Sequence, residues 1–446
     1  RNTFVGGGAG DGTDDGAYNV GIGAGALSAN CGDYNTAVGQ SALNDLTGGN
    51  TTAIGYLAGQ NLTNSGYHVI IGSYAGEALT GTVGDGTIAI GYNAIGGNAI
   101  GTGNTAVGYK SMQTAEAAGF SRNTTLGYHT MRNIGSSAAS DNVVIGFEAG
   151  DDMTSTSNNV IVGSYAGTLL TTGYSNVMLG KGAGRYAVAG YSNTFVGTGA
   201  GEEASGSNVY ENTYIGSSAG GYQRNGIRNV GIGRAALMGA SAGVGNSAGN
   251  NVAVGYYAAS NLSTGVYNTV VGDTAGQNIT TGNYNVYLGY SAGLATTTGG
   301  SNVAIGPNAY LAGTSGTSVA IGSETAKTTT SGDGVWIGAN ANKLGTGGGG
   351  GTMVGHYAGY VAQGSGMVHV GQNAGRYASG SNNVFVGKDA GQGGTTSAPY
   401  STGINNVAVG AYALDVFTTG PGNTAVGTNA LSAVNSGDYN VAVGYN

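Results

Sequence analysis

Four histidines and three groups of acidic residues are the side chains of this 446-residue chain that are best suited to chemistry. A metal centre needs several nitrogen, sulfur or oxygen ligands at short, defined spacings. The histidines lie far apart in the sequence and show no such spacing, which favours isolated structural or surface positions. The four are His68, His129, His356 and His369.

The acidic groups lie in stretches that are rich in glycine. Asp11, Asp14 and Asp15 form the densest group, where calcium is conceivable, but the calcium-binding nonapeptide of β-rolls is not repeated. Asp151-Asp152 and Glu202-Glu203 are predicted to be exposed turn charges. We therefore expect a protein that is not an enzyme and has no catalytic residues, metal or cofactor.

The overall composition excludes several classes of partner. The net charge is −8 and the 13 basic residues are scattered, whereas nucleic-acid binding needs clustered Lys and Arg. No run of 18 apolar residues could cross a membrane as a helix, and Cys31 is the only cysteine. Charged residues make up only 8% of the chain, against about a quarter in ordinary domains. We expect an extracellular location, on a cell surface or a virion.

A five-residue pattern organises the whole chain. It consists of Asn, then Thr or Val, a variable residue, Val, Ile or Leu, and Gly, as in residues 251–255. Its 26 copies, from Gly6 to Gly444, are mostly 16 or 17 residues apart. Such a short period predicts an all-β fold, a parallel β-solenoid or β-roll that forms one continuous domain over residues 1–446. Because both ends fall within a repeat, we expect an uncapped solenoid that belongs to a longer chain or filament.

Within each copy, the pattern predicts a short strand whose second and fourth residues share one face. The fourth residue is always Val, Ile or Leu, so we expect these two columns to face inward. The third residue ranges from Gly21 to Trp336 and includes His369, and we expect it to face outward. An apolar residue that often follows seven positions after the Gly, such as Leu46, predicts a second, weaker strand.

Two sets of side chains follow the repeat. Asn opens 19 of the 26 copies and is predicted to form a structural ladder of stacked amides, a role we favour over ligand binding. Its representatives are Asn35, Asn104, Asn251 and Asn440. Outward aromatic rings could contact sugars, or could instead pack on each other along the solenoid or cover an interface between chains, which we favour. They are Tyr56, Tyr92, Tyr109, Tyr256, Tyr290 and Trp336.

The copies Asn-Thr-Ala-Val-Gly at residues 35–39, 104–108 and 423–427 and Asn-Val-Ala-Ile-Gly at 302–306 are followed by Ala three residues later. They resemble the head repeats of trimeric autotransporter adhesins and similar repeats in bacteriophage tail fibres. The resemblance covers essentially the whole chain and implies a left-handed parallel β-roll with three chains around a threefold axis. The repeat here is somewhat longer than in adhesin heads, and the chain has no neck, stalk or anchor segment.

These observations predict a non-catalytic structural and adhesive fibre that attaches to a cell surface, a receptor or a glycan, with itself as partner in a homotrimer. The alternative is a self-assembling extracellular filament whose subunits stack end to end. Two further alternatives are an ice-binding solenoid, disfavoured because its Thr column is expected to face inward, and a glycan-cleaving enzyme, disfavoured because no carboxylate cluster is visible.

Overall fold

The computed structural model describes residues 1–63, 66–80, 85–97, 101–114, 120–133, 139–240, 246–313, 316–330, 333–346, 350–398 and 400–446. Each copy of the pattern forms one three-residue strand, since its second and fourth residues are β-branched or aliphatic. The strands are β1 Thr3–Val5, β2 Val20–Ile22, β3 Thr36–Val38, β4 Thr52–Ile54, β5 Val69–Ile71, β6 Ile88–Ile90, β7 Thr105–Val107, β8 Thr124–Leu126, β9 Val143–Ile145, β10 Val160–Val162, β11 Val177–Leu179, β12 Thr194–Val196, β13 Thr213–Ile215, β14 Val230–Ile232, β15 Val252–Val254, β16 Thr269–Val271, β17 Val286–Leu288, β18 Val303–Ile305, β19 Val319–Ile321, β20 Val335–Ile337, β21 Thr352–Val354, β22 Val368–Val370, β23 Val384–Val386, β24 Val407–Val409, β25 Thr424–Val426 and β26 Val441–Val443.

The strands follow each other as coils of a parallel β-solenoid, with no helix in the described residues. Two units can be distinguished, Arg1–Arg228 and Asn229–Asn446. In the first, each strand from β1 to β12 pairs in parallel with the next, so that Thr3 opposes Val20 and Val5 opposes Ile22. In the second, β14 to β26 pair in the same way. The repeat register of the sequence is therefore the register of the sheet.

The Gly that ends each strand is required because successive coils approach closely at this point. Gly180 has φ +130°, which L-residues rarely adopt. A Cβ atom there would lie 2.7 Å from the carbonyl carbon and oxygen of Gly197 in the next coil. The same geometry recurs along the column, so any larger residue would separate the coils.

The middle residue of the strand faces the interior, and the expected assignment of the two strand faces was wrong. The middle residues Ala37, Phe195, Trp336 and His369 are fully buried. The second and fourth residues are half-buried or exposed in every strand. A column that ranges from Gly to Trp is thus the core, because in most coils another position changes size with it.

That position is the fourth residue after the strand-ending Gly. It is Gly201 where the middle residue is Phe195, and a Cβ at Gly201 would lie 2.7 Å from the Phe195 ring. Where the middle residue is only Ala37, the corresponding residue is the fully buried Leu43. Most coils therefore fill their interior with one large side chain, placed at either of two positions, as close packing demands.

The remaining interior positions are in turns. The Ala that stands three residues after most of the strand-ending glycines is buried, as at Ala42 and Ala183. The apolar residues seven after the Gly, including Leu46 and Leu62, are also buried, but they lie in turns and not in the expected second strand. Isolated parallel bridges such as Ser140 with Ser157 instead form two residues before the Asn.

Candidate interaction surfaces

The asparagines form a buried ladder that stabilises the stack. The Asn251 side-chain oxygen accepts hydrogen bonds from the backbone N–H and the side-chain amide of Asn268, at 2.9 and 3.0 Å. Its own amide donates to the Gly265 carbonyl at 2.9 Å. Asn35 and Asn104 accept the backbone N–H of the next coil in the same way, and Asn440 donates to Asn423. These amides are occupied within the chain and cannot serve a ligand.

His68 occupies a ladder position that Asn fills elsewhere. Its Nδ1 accepts the backbone N–H of Thr87 at 3.2 Å, which requires that nitrogen to be unprotonated. Burial lowers the pKa of His68, while the Asp85 carboxylate opposes this shift. The histidine therefore continues the ladder as a neutral acceptor.

The other histidines lie in three different environments. His369 is the middle residue of β22 and is fully buried, which corrects the expectation of a surface position. His129 lies over the Tyr128 ring at 4.0 Å, and His356 contacts the Tyr357 ring edge-on. In the part of the chain that the structure describes, no three His, Cys, Asp or Glu side chains form a group that could hold a metal ion.

The acidic groups differ in the partners that they find. Asp151 is buried, so the expectation of an exposed turn charge was wrong for this residue. It forms an ion pair with Arg132 at 2.7 Å, yet burial is the larger effect and raises the pKa of Asp151. Glu203 pairs with Arg224 at 3.1 Å. At Asp14, the backbone N–H donates to the side-chain oxygen of Asn30 in the next coil. These contacts tie one coil to the next, and none assembles a pair of carboxylates around a shared space.

The exposed tyrosines lie where the sequence predicts, and Trp336 does not. Trp336 is a middle residue, fully buried and 6.3 Å from the Tyr310 ring, so it is no surface contact. The five predicted tyrosines are each between 41% and 58% exposed. They are Tyr56, Tyr92, Tyr109, Tyr256 and Tyr290.

Several of these rings stack on each other along the first unit. We call the series the aromatic ridge; it consists of Tyr56, Tyr74, Tyr92, Tyr109, Tyr128, Phe147 and Tyr165. Neighbouring ring centroids are 5.0–5.8 Å apart, within the range of favourable aromatic pairs. The rings thus pack on each other, as favoured from the sequence, while five of them keep about two-fifths of their surface exposed.

The outer face of the strands forms a second repeated surface, and it is apolar. We call it the strand face; it consists of the second and fourth residues of each strand. All fourth residues are Val, Ile or Leu, and the second residues are Val, Thr or Ile. In the first unit Leu126 is 48% exposed and Ile54 42%; in the second Val409 is 38% exposed. Repeated coil after coil, these side chains make an apolar strip of the kind that marks interaction sites.

Sequence reasoning missed this surface because it equated a uniform aliphatic column with the core. The signal that could have found it is the inverse size relation between the middle residue and the fourth residue after the Gly. The argument against ice binding also fails, since Thr36 and Thr52 lie on the outer face. The aliphatic residues that dominate the strand face, rather than the direction of the Thr column, now disfavour that alternative.

Comparison with protein-family models, with curated proteins and with solved structures finds no match to this chain. Among the described residues, no helix is long and apolar enough to span a membrane.

Proposed function

We propose that this chain is a non-catalytic structural and adhesive subunit of an extracellular fibre on a cell or virion, and that it associates with copies of itself through the strand face. The observation that carries the proposal is that every strand presents aliphatic or Thr side chains outward. Water-exposed aliphatic residues in such an unbroken series gain free energy when a partner covers them.

A second copy of the same chain fits this surface for a geometric reason. Coils that pair as parallel strands are stacked at ~4.8 Å, so side chains on the strand face repeat at that spacing. A different protein would need the same periodicity to match the strip, whereas an identical chain has it already. The number three comes from the resemblance to the trimeric adhesin heads.

Adhesion follows from repetition. A trimer carries each surface feature three times, and several weak contacts on one rigid fibre produce a much higher avidity than a single contact. The low fraction of charged residues, 8%, supports a location outside the cell.

The test is the native mass of the full chain, measured by light scattering after size exclusion. The expected result is a stable mass of three times 43.4 kDa. A mass of one chain at all concentrations contradicts self-association. A mass that grows steadily with concentration would replace the trimer by an end-to-end filament.

Thermal hysteresis of the same sample tests the ice-binding alternative. If the strand face is covered in a trimer, it cannot bind ice. We therefore expect no hysteresis beyond that of a control protein at equal concentration.

A further inference from the structure

A small cleft opens in the first unit where two successive coils lack a side chain at the same surface position. The second residue after the strand-ending Gly carries a side chain in most coils, as at Tyr165 and Ser218, with φ near +60°. In the two coils between them this residue is Gly182 and then Gly199. The two successive glycines leave a cleft of about 160 Å³ next to Tyr165.

The cleft is bordered by two cations and one carboxylate. Lys181 and Arg185 line it together with Glu202 and the hydroxyl-bearing residues Thr198 and Ser218. Seven of the other basic residues, among them Arg132 and Arg224, form ion pairs. Within the described residues, neither Lys181 nor Arg185 does so. Two cations against one carboxylate give this cleft a positive charge in a chain of net charge −8, which indicates an anionic ligand.

Two aromatic rings hold the Arg185 guanidinium beside the cleft. Its guanidinium carbon is 4.9 Å from the Tyr165 ring centroid and 5.1 Å from that of Tyr186. Stacking on aromatic rings uses the flat faces of a guanidinium, whereas its N–H donors lie in the plane and point from its edges. The two rings therefore restrain Arg185, while the N–H donors at the edge of its guanidinium can bind a carboxylate.

We propose that this cleft binds a carboxylate-bearing sugar residue of a surface glycan; the assignment rests on the adhesive function proposed above. Arg185 binds the carboxylate through two hydrogen bonds, and Lys181 adds a second positive charge. Glu202 accepts hydrogen bonds from sugar hydroxyls, and the Thr198 and Ser218 hydroxyls complete the polar border. With Glu202 the three charged side chains have a net charge of +1, which a single carboxylate neutralises.

The second unit contains a natural control for this arrangement. The sequence Ala-Gly-Arg-Tyr of residues 183–186 recurs at 374–377. Arg376 stacks in the same manner on Tyr357, at 4.3 Å, and on Tyr377, at 5.0 Å. There, however, Asn373 stands where the first unit has Gly182, and Gln372 stands where it has Lys181. The stacked arginine is retained, but the glycine and the second cation are not.

Asn373 also shows that an asparagine fits this position. Its φ is +57°, close to the +65° of Gly182. A Cβ on Gly182 would meet nothing nearer than the Glu202 Oε1, at 3.9 Å. The substitution Gly182→Asn therefore places a side chain in the cleft with the backbone and both cations unchanged.

The experiment is titration calorimetry of the full chain with N-acetylneuraminic acid and with glucuronic acid, using glucose as the neutral control. We expect a Kd of roughly 1 mM or tighter for one of the acids, a range common for single small ligands. Arg185→Gln and Gly182→Asn should each weaken binding at least tenfold, whereas Arg376→Gln should leave it unchanged.

Absence of binding by the unmodified chain, or equal loss in Arg376→Gln, would overturn the assignment. Tighter binding of inorganic phosphate than of either sugar acid would also overturn it, because the cleft would then be a simple anion site. The native mass of each sample separates this result from the fibre proposal: a trimer that binds no sugar acid refutes only the cleft, and a single chain that binds one refutes only the trimer.

Discussion

The inner and outer faces of the same strands obey opposite rules. Inner residues vary from Gly231 to Trp336 and are nevertheless buried, because in most coils a second position compensates for their size. Outer residues are restricted to a few aliphatic types and Thr, although residues such as Leu126 are exposed in the single chain. Variability is therefore no sign of exposure in this fold. Restriction at an exposed position indicates a contact that the single chain does not make.

The largest effect should come from the inner face. Phe195→Ala removes the one large side chain of its coil and leaves a cavity, at a cost of about 3–5 kcal/mol. The double variant with Gly201→Leu should recover most of this loss, since the coil of Ala37 and Leu43 already has that arrangement. Hydrogen exchange of the β12 amides measures both. If the double variant exchanges as fast as Phe195→Ala, size compensation between the two positions is refuted.

The second effect is a pH dependence of stability that comes from His369, a titratable side chain among the inner residues. Full burial lowers the pKa of His369 to about 3, from an ordinary value of 6.5. The neutral form is stable in the coil above pH 6.5, and the stability it gives is lost progressively as the pH falls from 6.5 towards 3. At pH 4.5 the expected loss is about 2–3 kcal/mol, since one pKa unit corresponds to about 1.4 kcal/mol.

Hydrogen exchange of the β22 amides at pH 7 and 4.5, corrected for intrinsic rates, measures this loss. The matched control is His369→Phe, which copies the neighbouring Phe385 and should remove the pH dependence. A pH dependence that persists in the control would place its origin in another group.

The outer face should respond differently. Leu126→Glu places a charge on an exposed position, so the stability of the isolated chain should change by less than about 0.5 kcal/mol. In the assembled form the charge would be buried against a partner. Leu126→Glu should therefore raise the dissociation constant of the assembly at least tenfold. Tyr67→Glu is the control, at a residue that is 69% exposed and lies outside the strand face. Equal dissociation of both variants would show a general charge effect.

The smallest effect is expected at the aromatic ridge, whose rings contact each other within a single chain. Tyr109 stacks between Tyr92 and Tyr128, at 5.3 and 5.0 Å. Tyr109→Ala should cost about 1–2 kcal/mol, since each aromatic pair contributes about 0.5–1.5 kcal/mol. Unlike Leu126→Glu, it should leave the native mass unchanged. Hydrogen exchange at the His129 amide, which donates to the Tyr109 carbonyl, reports the loss of stability. A change in mass would place the ridge within the subunit interface.

The sequence predicts the strands and their order because each repeat has the same Asn and Gly at fixed places. The Asn251 position was readable as a ladder, since identical amides stacked in successive coils can hydrogen-bond along the axis. Which face of the strand points inward could not be predicted from the residue types of one strand position alone. It depends on the paired sizes of residues such as Phe195 and Gly201, which are six positions apart and meet only in the folded coil. The cleft beside Arg185 was missed for the same reason, since it arises where Gly182 and Gly199 become neighbours in adjacent coils.

The central claim is that a second copy of the chain covers the strand face, and thiol labelling tests it most directly. Ile54→Cys and Tyr67→Cys are made in a Cys31→Ser background, since Cys31 is the only native thiol. Both native residues are exposed in the single chain, at 42% and 69%. We predict that the native assembly protects the cysteine at position 54 from a maleimide at least tenfold relative to that at 67. Equal labelling of the two cysteines would contradict the account.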